Sequence, residues 1–333
     1  MSKAKSFLTS SNAFLVYLLV VMIAVVTAIN PNFLSAENFL TILRSSAYSG
    51  IFAIGFLFVL ICGGLDVSFA AVATVGQYIA GTVMIRAPET PWIFVVIIPP
   101  LTGVILASLN AYMIQKLNAP PLIITIAVQN ILFGILQFIT DGRWLSNFPK
   151  WFNEFPLKLV ISAENRNGVL YGLSVLTVIW FAVAILGDFI LKKTVHGRRL
   201  YAMGGNMEAA RRAGIDILKY QVFAYGFLGF CSGLAGLVHT MVTQTVAPNT
   251  LIGNEFYTIA AVVLGGASIF GGSGSVFGTV MGVVIMAVLS NALTIMRVPA
   301  EQDTWMRDLA RRMDAARVDR TGAVGTRGTR RPT

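Results

Sequence analysis

Charge is what this sequence has least of. Asp, Glu, Lys and Arg make up only 12% of its residues, against 56% hydrophobic, whereas an ordinary soluble domain is about one quarter charged. A soluble fold of this length would lack the polar residues needed to cover so much apolar surface. Lipid removes that requirement by solvating apolar side chains directly. Cysteine is also scarce: Cys62 and Cys231 are the only two, each inside an apolar run, and they read as small packing residues rather than a disulfide or a metal site. The Gly-Lys-Ser/Thr pattern of a phosphate-binding loop is absent, so the chain is not expected to hydrolyse ATP itself. Nor is there a catalytic constellation; no covalent chemistry, cofactor or metal is expected. The first apolar run follows Lys3 and Lys5 without a small-residue cleavage motif, which makes it a retained helix rather than a signal peptide. The net charge of +10 sits in loops and in the tail. It points to membrane topology and anionic lipid, not to nucleic acid.

What is present is a series of apolar runs near the ~20 residues that a helix needs to cross a bilayer. They are Ala13–Ile29, Ala47–Cys62, Val67–Ile85, Trp92–Ile114, Pro121–Ile139, Val169–Gly187, Tyr220–Val238, Phe256–Phe270 and Ser275–Met296, and none contains Lys, Arg, Asp or Glu. The expected fold is an all-α polytopic membrane helix bundle of about nine transmembrane helices. Phe256–Phe270, the shortest, either spans or re-enters. The densest basic loop, Leu191 to Lys219, holds seven Lys and Arg against Glu208 and Asp216, which places it in the cytoplasm. Counting back puts the N-terminus on the same side and Thr140 to Gly168 outside, with Trp92, Trp144 and Trp151 as interface anchors.

Beyond Pro299 the apolar pattern stops. Residues 303–333 contain eight Arg and four Asp but no Lys, Phe, Ile or Tyr. The expected organisation is a transmembrane domain over residues 1–300 and an Arg-rich tail over 301–333, disordered or frameshifted. Within that tail, Thr304–Val318 reads as a short helix and Thr321–Thr333 as disorder. Nine spans would leave the tail outside. Either Phe256–Phe270 is re-entrant and the tail is cytoplasmic, or a final helix has been replaced by unrelated sequence.

Three stretches carry chemistry-bearing or conformationally special residues. Gly63-Gly64-Leu65-Asp66-Val67-Ser68 interrupts two apolar runs, and Asp66 reads as a cap that fixes a helix break. In the basic loop, Asn206 is an N-cap candidate, Glu208, Ala209, Ala210, Arg211, Arg212 and Ala213 form a short helix, and Gly214 is its C′ residue. Such a helix is either a membrane-surface element or a docking knob for a cytoplasmic partner. The third stretch runs from Gly265 to Thr279 and includes Gly266, Gly271, Gly272 and Gly274; glycines there permit tight turns and close backbone contact. Among polar residues in apolar runs, Asn110, Gln129, Asn130 and Asn291 are possible pathway residues. His239 reads as a packing residue rather than a proton carrier.

In order and spacing, Gly63 to Ser68, Gly197 to Ile215 and Ile259 to Thr279 together resemble the permease subunits of bacterial ATP-binding-cassette importers for simple sugars of the ribose, xylose and galactose type. The resemblance covers roughly residues 45–300. It implies usually ten helices, alternating access driven by a separate cytoplasmic ATPase, and an extracytoplasmic solute-binding protein. It also implies a second permease copy, identical or related, in the inner membrane. On that resemblance, Glu208 to Ile215 would be the coupling helix. This chain departs from the family in three places. Phe69-Ala70-Ala71 stands where Gly is usual, His196 where an aromatic is common, and a final apolar helix and short basic tail are missing. The rival readings are a branched-chain amino acid permease, a proton- or sodium-driven secondary transporter, and an inactive truncated permease. The secondary transporter is disfavoured because the spans hold no ionisable residue at mid-depth.

Overall fold

A computed structural model describes residues 11–164, 168 and 170–295. The expected helix at Thr304–Val318 and disorder at Thr321–Thr333 lie outside the described residues. The chain divides into one compact unit to Leu289 and a second from Ser290; of the second, only the last turns of one helix, 290–295, are described.

The helices, in chain order, are α1 (Ser11–Ile29), α2 (Ala36–Ser45), α3 (Ala47–Ile61), α4 (Phe69–Arg86), α5 (Trp92–Leu117), α6 (Pro121–Thr140), α7 (Lys150–Glu154), α8 (Val175–Lys193), α9 (Val195–Gly205), α10 (Met207–Arg212), α11 (Ile217–Thr243), α12 (Asn254–Leu264) and α13 (Val276–Ile295). Two strands, β1 (Leu159–Glu164) and β2 (Leu170–Ser174), form an antiparallel hairpin. The protein is a polytopic helix bundle, as expected. Among the described residues, six helices are long and apolar enough to cross a membrane (α4, α5, α6, α8, α11 and α13), and seven if the bent pair α2–α3 counts as one. The pair bends by 51° at its break. The run Val169–Gly187 is re-partitioned, because Leu170–Ser174 form β2 and the helix continues to Lys193.

The core lies around α3. It is apolar on every side, and all of Ala47–Ile61 except Tyr48 is buried, as expected for a helix enclosed by others. Gly50 lets the indole of Trp180 on α8 approach to where a Cβ would stand, 2.0 Å away. The α5–α11 crossing is equally close: a Cβ on Gly103 would fall 1.9 Å from the Gly229 carbonyl oxygen, and one on Gly233 2.0 Å from that of Pro99. With lipid on the outside there is little hydrophobic drive between helices, so small residues that let backbones touch do the packing. At the opposite extreme is α6, where only Thr125 and Leu136 are buried. Its remaining apolar side chains face outward, as lipid permits.

Two ends of the bundle can be told apart. The β-hairpin leads into α8, whose 19 residues cover about 28 Å before α9 and α10 begin. Helix α11 returns, and a bridge between Leu145 and Val246 ties its far end to the hairpin side. Trp144 and Trp92 are exposed near that side, at 71% and 60%.

Candidate functional site

At the α10 end, the three stretches singled out in the sequence meet backbone to backbone. The Gly272 N–H donates to the Ile61 carbonyl oxygen at 3.0 Å, satisfying one of the carbonyls left free where α3 ends. A Cβ on Gly204 would lie 1.8 Å from that same oxygen, and one on Gly271 would lie 2.8 Å from the Gly63 Cα. Gly63 and Gly272 also take φ of +83° and +74°, a region that side chains disfavour. The junction therefore joins the last turn of α3, the end of α9 and the glycine-rich run after α12, with no side chains between them. Tyr201 on α9 locks the third partner by donating to the Gly274 carbonyl at 2.8 Å. Burial, then the nearby charge of Asp188, raises the Tyr201 phenol above its ordinary pKa, so it remains a donor.

Beside the junction, the Asp66 turn is fully buried. One carboxylate oxygen accepts from the Ser68 N–H and hydroxyl, both at 2.7 Å. Asn110 on α5 donates to the Ser68 hydroxyl oxygen at 2.7 Å, and Thr125 on α6 accepts from the Val67 N–H at 3.4 Å. Asp66 thus closes the turn that precedes α4, with Ser68 in the cap position itself. Phe69 fills the space that a glycine would leave, with its ring 5.2 Å from Phe52 and 5.7 Å from Phe56 on α3.

The chain leaves the junction at Gly205 and forms α10 one residue later. The Asn206 side chain accepts from the Ala209 N–H at 2.9 Å. After the helix, Gly214 at φ +76° lets the Ile215 N–H reach back to the Ala210 carbonyl at 3.1 Å. Glu208 lies 3.9 Å from Arg211 and 3.4 Å from Arg212, all three exposed. Ala210 alone is buried, so α10 is a small charged knob resting on one methyl group. Below it, His196 stacks on Phe223 with ring centres 5.0 Å apart, filling an aromatic's place. Arg199 lies over the Tyr220 ring, 5.3 Å from its centre.

The chain matches the family described as "Branched-chain amino acid transport system / permease component" over residues 38–309. It belongs to that family. Among curated proteins it is 35% identical over 278 residues to the ribose import permease protein RbsC of Haemophilus influenzae, covering 84% of each chain. To the protein of the same name from Bacillus subtilis it is 30% identical over 280 residues, again 84% of each. To the D-allose transport system permease protein AlsC of Escherichia coli it is 28% identical over 283 residues, 85% of this chain and 83% of that one. No solved structure matches it. This family places the glycine junction and the knob in a multi-pass membrane permease.

The residues considered for a pathway differ in their partners and burial. Asn110 is consumed by the Asp66 turn, and Asn130 is exposed and donates to the Ile126 carbonyl of its own helix at 2.8 Å. Asn291 falls in the last turns of α13, within the C-terminal unit. Gln129, in contrast, donates to Glu255 at 2.9 Å. Glu255 is a functional candidate that the apolar pattern hides, because it stands one residue before the run Phe256–Phe270. It is 3% exposed, and its other oxygen accepts from the Gly253 N–H at 2.9 Å. Gln129 lies eight residues into the 20-residue α6, so Glu255 is a buried acid held against the middle of that helix. Helix α12 is 11 residues long, about 16 Å, and ends at the glycine-rich run. Helix α13 runs back along it, with Gly265 and Gly278 so close that a Cβ on Gly265 would stand 2.4 Å from the Gly278 oxygen.

Proposed function

We propose that this chain is the membrane subunit of an ATP-binding-cassette importer that moves a simple sugar or a similar small polar solute inward by alternating access. ATP is hydrolysed on a separate cytoplasmic chain. The observation that carries the mechanism is the glycine junction directly beneath α10. Docked in a groove of the ATPase, α10 would move as its partner closes on nucleotide. On its N-terminal side it is linked inward by Gly204–Gly205, packed without side chains against the break after α3 and the run after α12; on its C-terminal side Gly214–Asp216 lead into α11. A push on α10 is therefore passed to two interrupted helices rather than absorbed by compressible side chains. The likeness to ribose and allose permeases supports the sugar class over branched-chain amino acids, despite the family's broad description. The complex would hold two permease copies in the inner membrane and take solute from a binding protein at the hairpin end. Its first 300 residues would do this work.

The test is co-purification and transport. A tagged chain should retain an ATPase from detergent-solubilised membranes, and Arg211→Glu with Arg212→Glu should release it. Solute uptake into vesicles that contain no nucleotidase would refute the reading and favour a secondary transporter, for which the buried Glu255 would be the first residue to test.

A further inference from the structure

A second polar group lies apart from the junction and from the Asp66 turn, near the far end of α11. Gln77 sits eight residues into the 18-residue α4 and is 1% exposed. Its side-chain oxygen accepts from the Thr240 hydroxyl at 3.1 Å and lies 3.3 Å from Nδ1 of His239, both on α11. Its Nε2, with two N–H groups, has no hydrogen-bond partner. The ring of Tyr48 meets His239 edge-on, centres 5.0 Å apart, and Tyr257 lies on α12, which packs against α3. Tyr48 and Tyr257 are only half-buried.

Two features separate this group from ordinary packing. The first is where it lies: Tyr48 follows the α2–α3 break by two residues and Tyr257 falls in the first turn of the half-helix α12. Interrupted helices are the usual frame of a solute site in a transporter, because irregular backbone within the bilayer must be buried in protein or line a pathway. The second is the unsatisfied amide. A buried donor without a partner is costly, and in a bundle of otherwise apolar helices an apolar side chain would avoid the cost.

Taking the permease reading as given, we infer that Tyr48, Gln77, His239, Thr240 and Tyr257 form a contact site for a polyhydroxylated solute crossing the membrane. Sugar hydroxyls donate and accept, as an amide, an imidazole and a hydroxyl require. The C–H faces of a sugar ring suit the flat faces of the two tyrosines. The site closes around the solute between the outward and inward openings.

The experiment uses the full complex of permease, ATPase and binding protein in proteoliposomes, with D-ribose and D-allose as probes. The readout is solute delivered per ATP hydrolysed. Gln77→Leu, Thr240→Val and Tyr48→Leu are compared with the native chain in complexes that still co-purify with the ATPase. The expected result is at least a three-fold fall in sugar delivered per ATP for two of the three. An unchanged ratio in all three, as when a single ordered water satisfies Gln77, overturns the inference. So does a set in which no variant assembles, since the group would then serve folding alone. Failure of the permease reading looks different: the native complex itself would show no ATP-dependent uptake of either sugar.

Discussion

The knob at α10 and the glycine junction beneath it are adjacent in the chain but are built on opposite principles. The knob is local. Its cap, its helix former residues and its closing glycine lie within nine positions, from Asn206 to Gly214, and its ion pairs are exposed. The junction is non-local. It joins residues near 63, 204 and 272 through backbone contact and is held by what it lacks, namely side chains. A surface made of local parts can be altered without disturbing the fold and suits a partner that binds and releases. A contact made by backbone alone has no slack, so it suits the transmission of movement.

The largest effect should come from filling the junction. Gly204→Val drives a side chain into the Ile61 carbonyl and should cost about 3 kcal/mol, seen as a lower melting temperature in detergent together with loss of uptake. If the variant melts like the native chain and still transports, the junction is looser than its distances state. Next is Asp66→Ala, which strips the Ser68 N–H and hydroxyl of their acceptor and should cost about 2 kcal/mol. Asp66→Asn keeps an acceptor oxygen and should lose clearly less, so equal losses would argue against the hydrogen-bonding role of Asp66. Asn206→Ala removes a cap and should cost the short helix about 1 kcal/mol. Because α10 contributes little to the bundle, this should appear as weaker ATPase retention at a nearly unchanged melting temperature. Smallest in stability is Arg211→Glu with Arg212→Glu, under about 0.5 kcal/mol, since exposed pairs contribute little. Its effect should fall almost wholly on ATPase binding, and a drop in melting temperature comparable to that of Asp66→Ala would erase the distinction between the two regions.

The knob was legible in the sequence almost residue by residue, because capping and helix propensity act within one or two turns. The glycines of the junction could be seen as special but not as partners: nothing in a sequence links Gly63 to Gly204 and Gly272 until the helices are placed. Asn110 and Gln129 looked alike as polar residues in apolar runs, yet one closes the Asp66 turn and the other holds Glu255. Glu255 itself was hidden because an acid at the head of an apolar run reads as a surface cap. The β-hairpin was overlooked as well, although Asn167-Gly168 between apolar segments is a hairpin signal.

By itself the sequence determined that this protein lives in lipid, roughly where its helices run, and which exposed element a partner could grip, since hydropathy and capping are properties of short stretches. Only the tertiary structure decided where those runs break and bend, which glycines touch, and which polar groups meet in the bundle. Those are set by distances between residues far apart in the chain, and the close packing that fixes them is a property of the assembled helices rather than of any one segment.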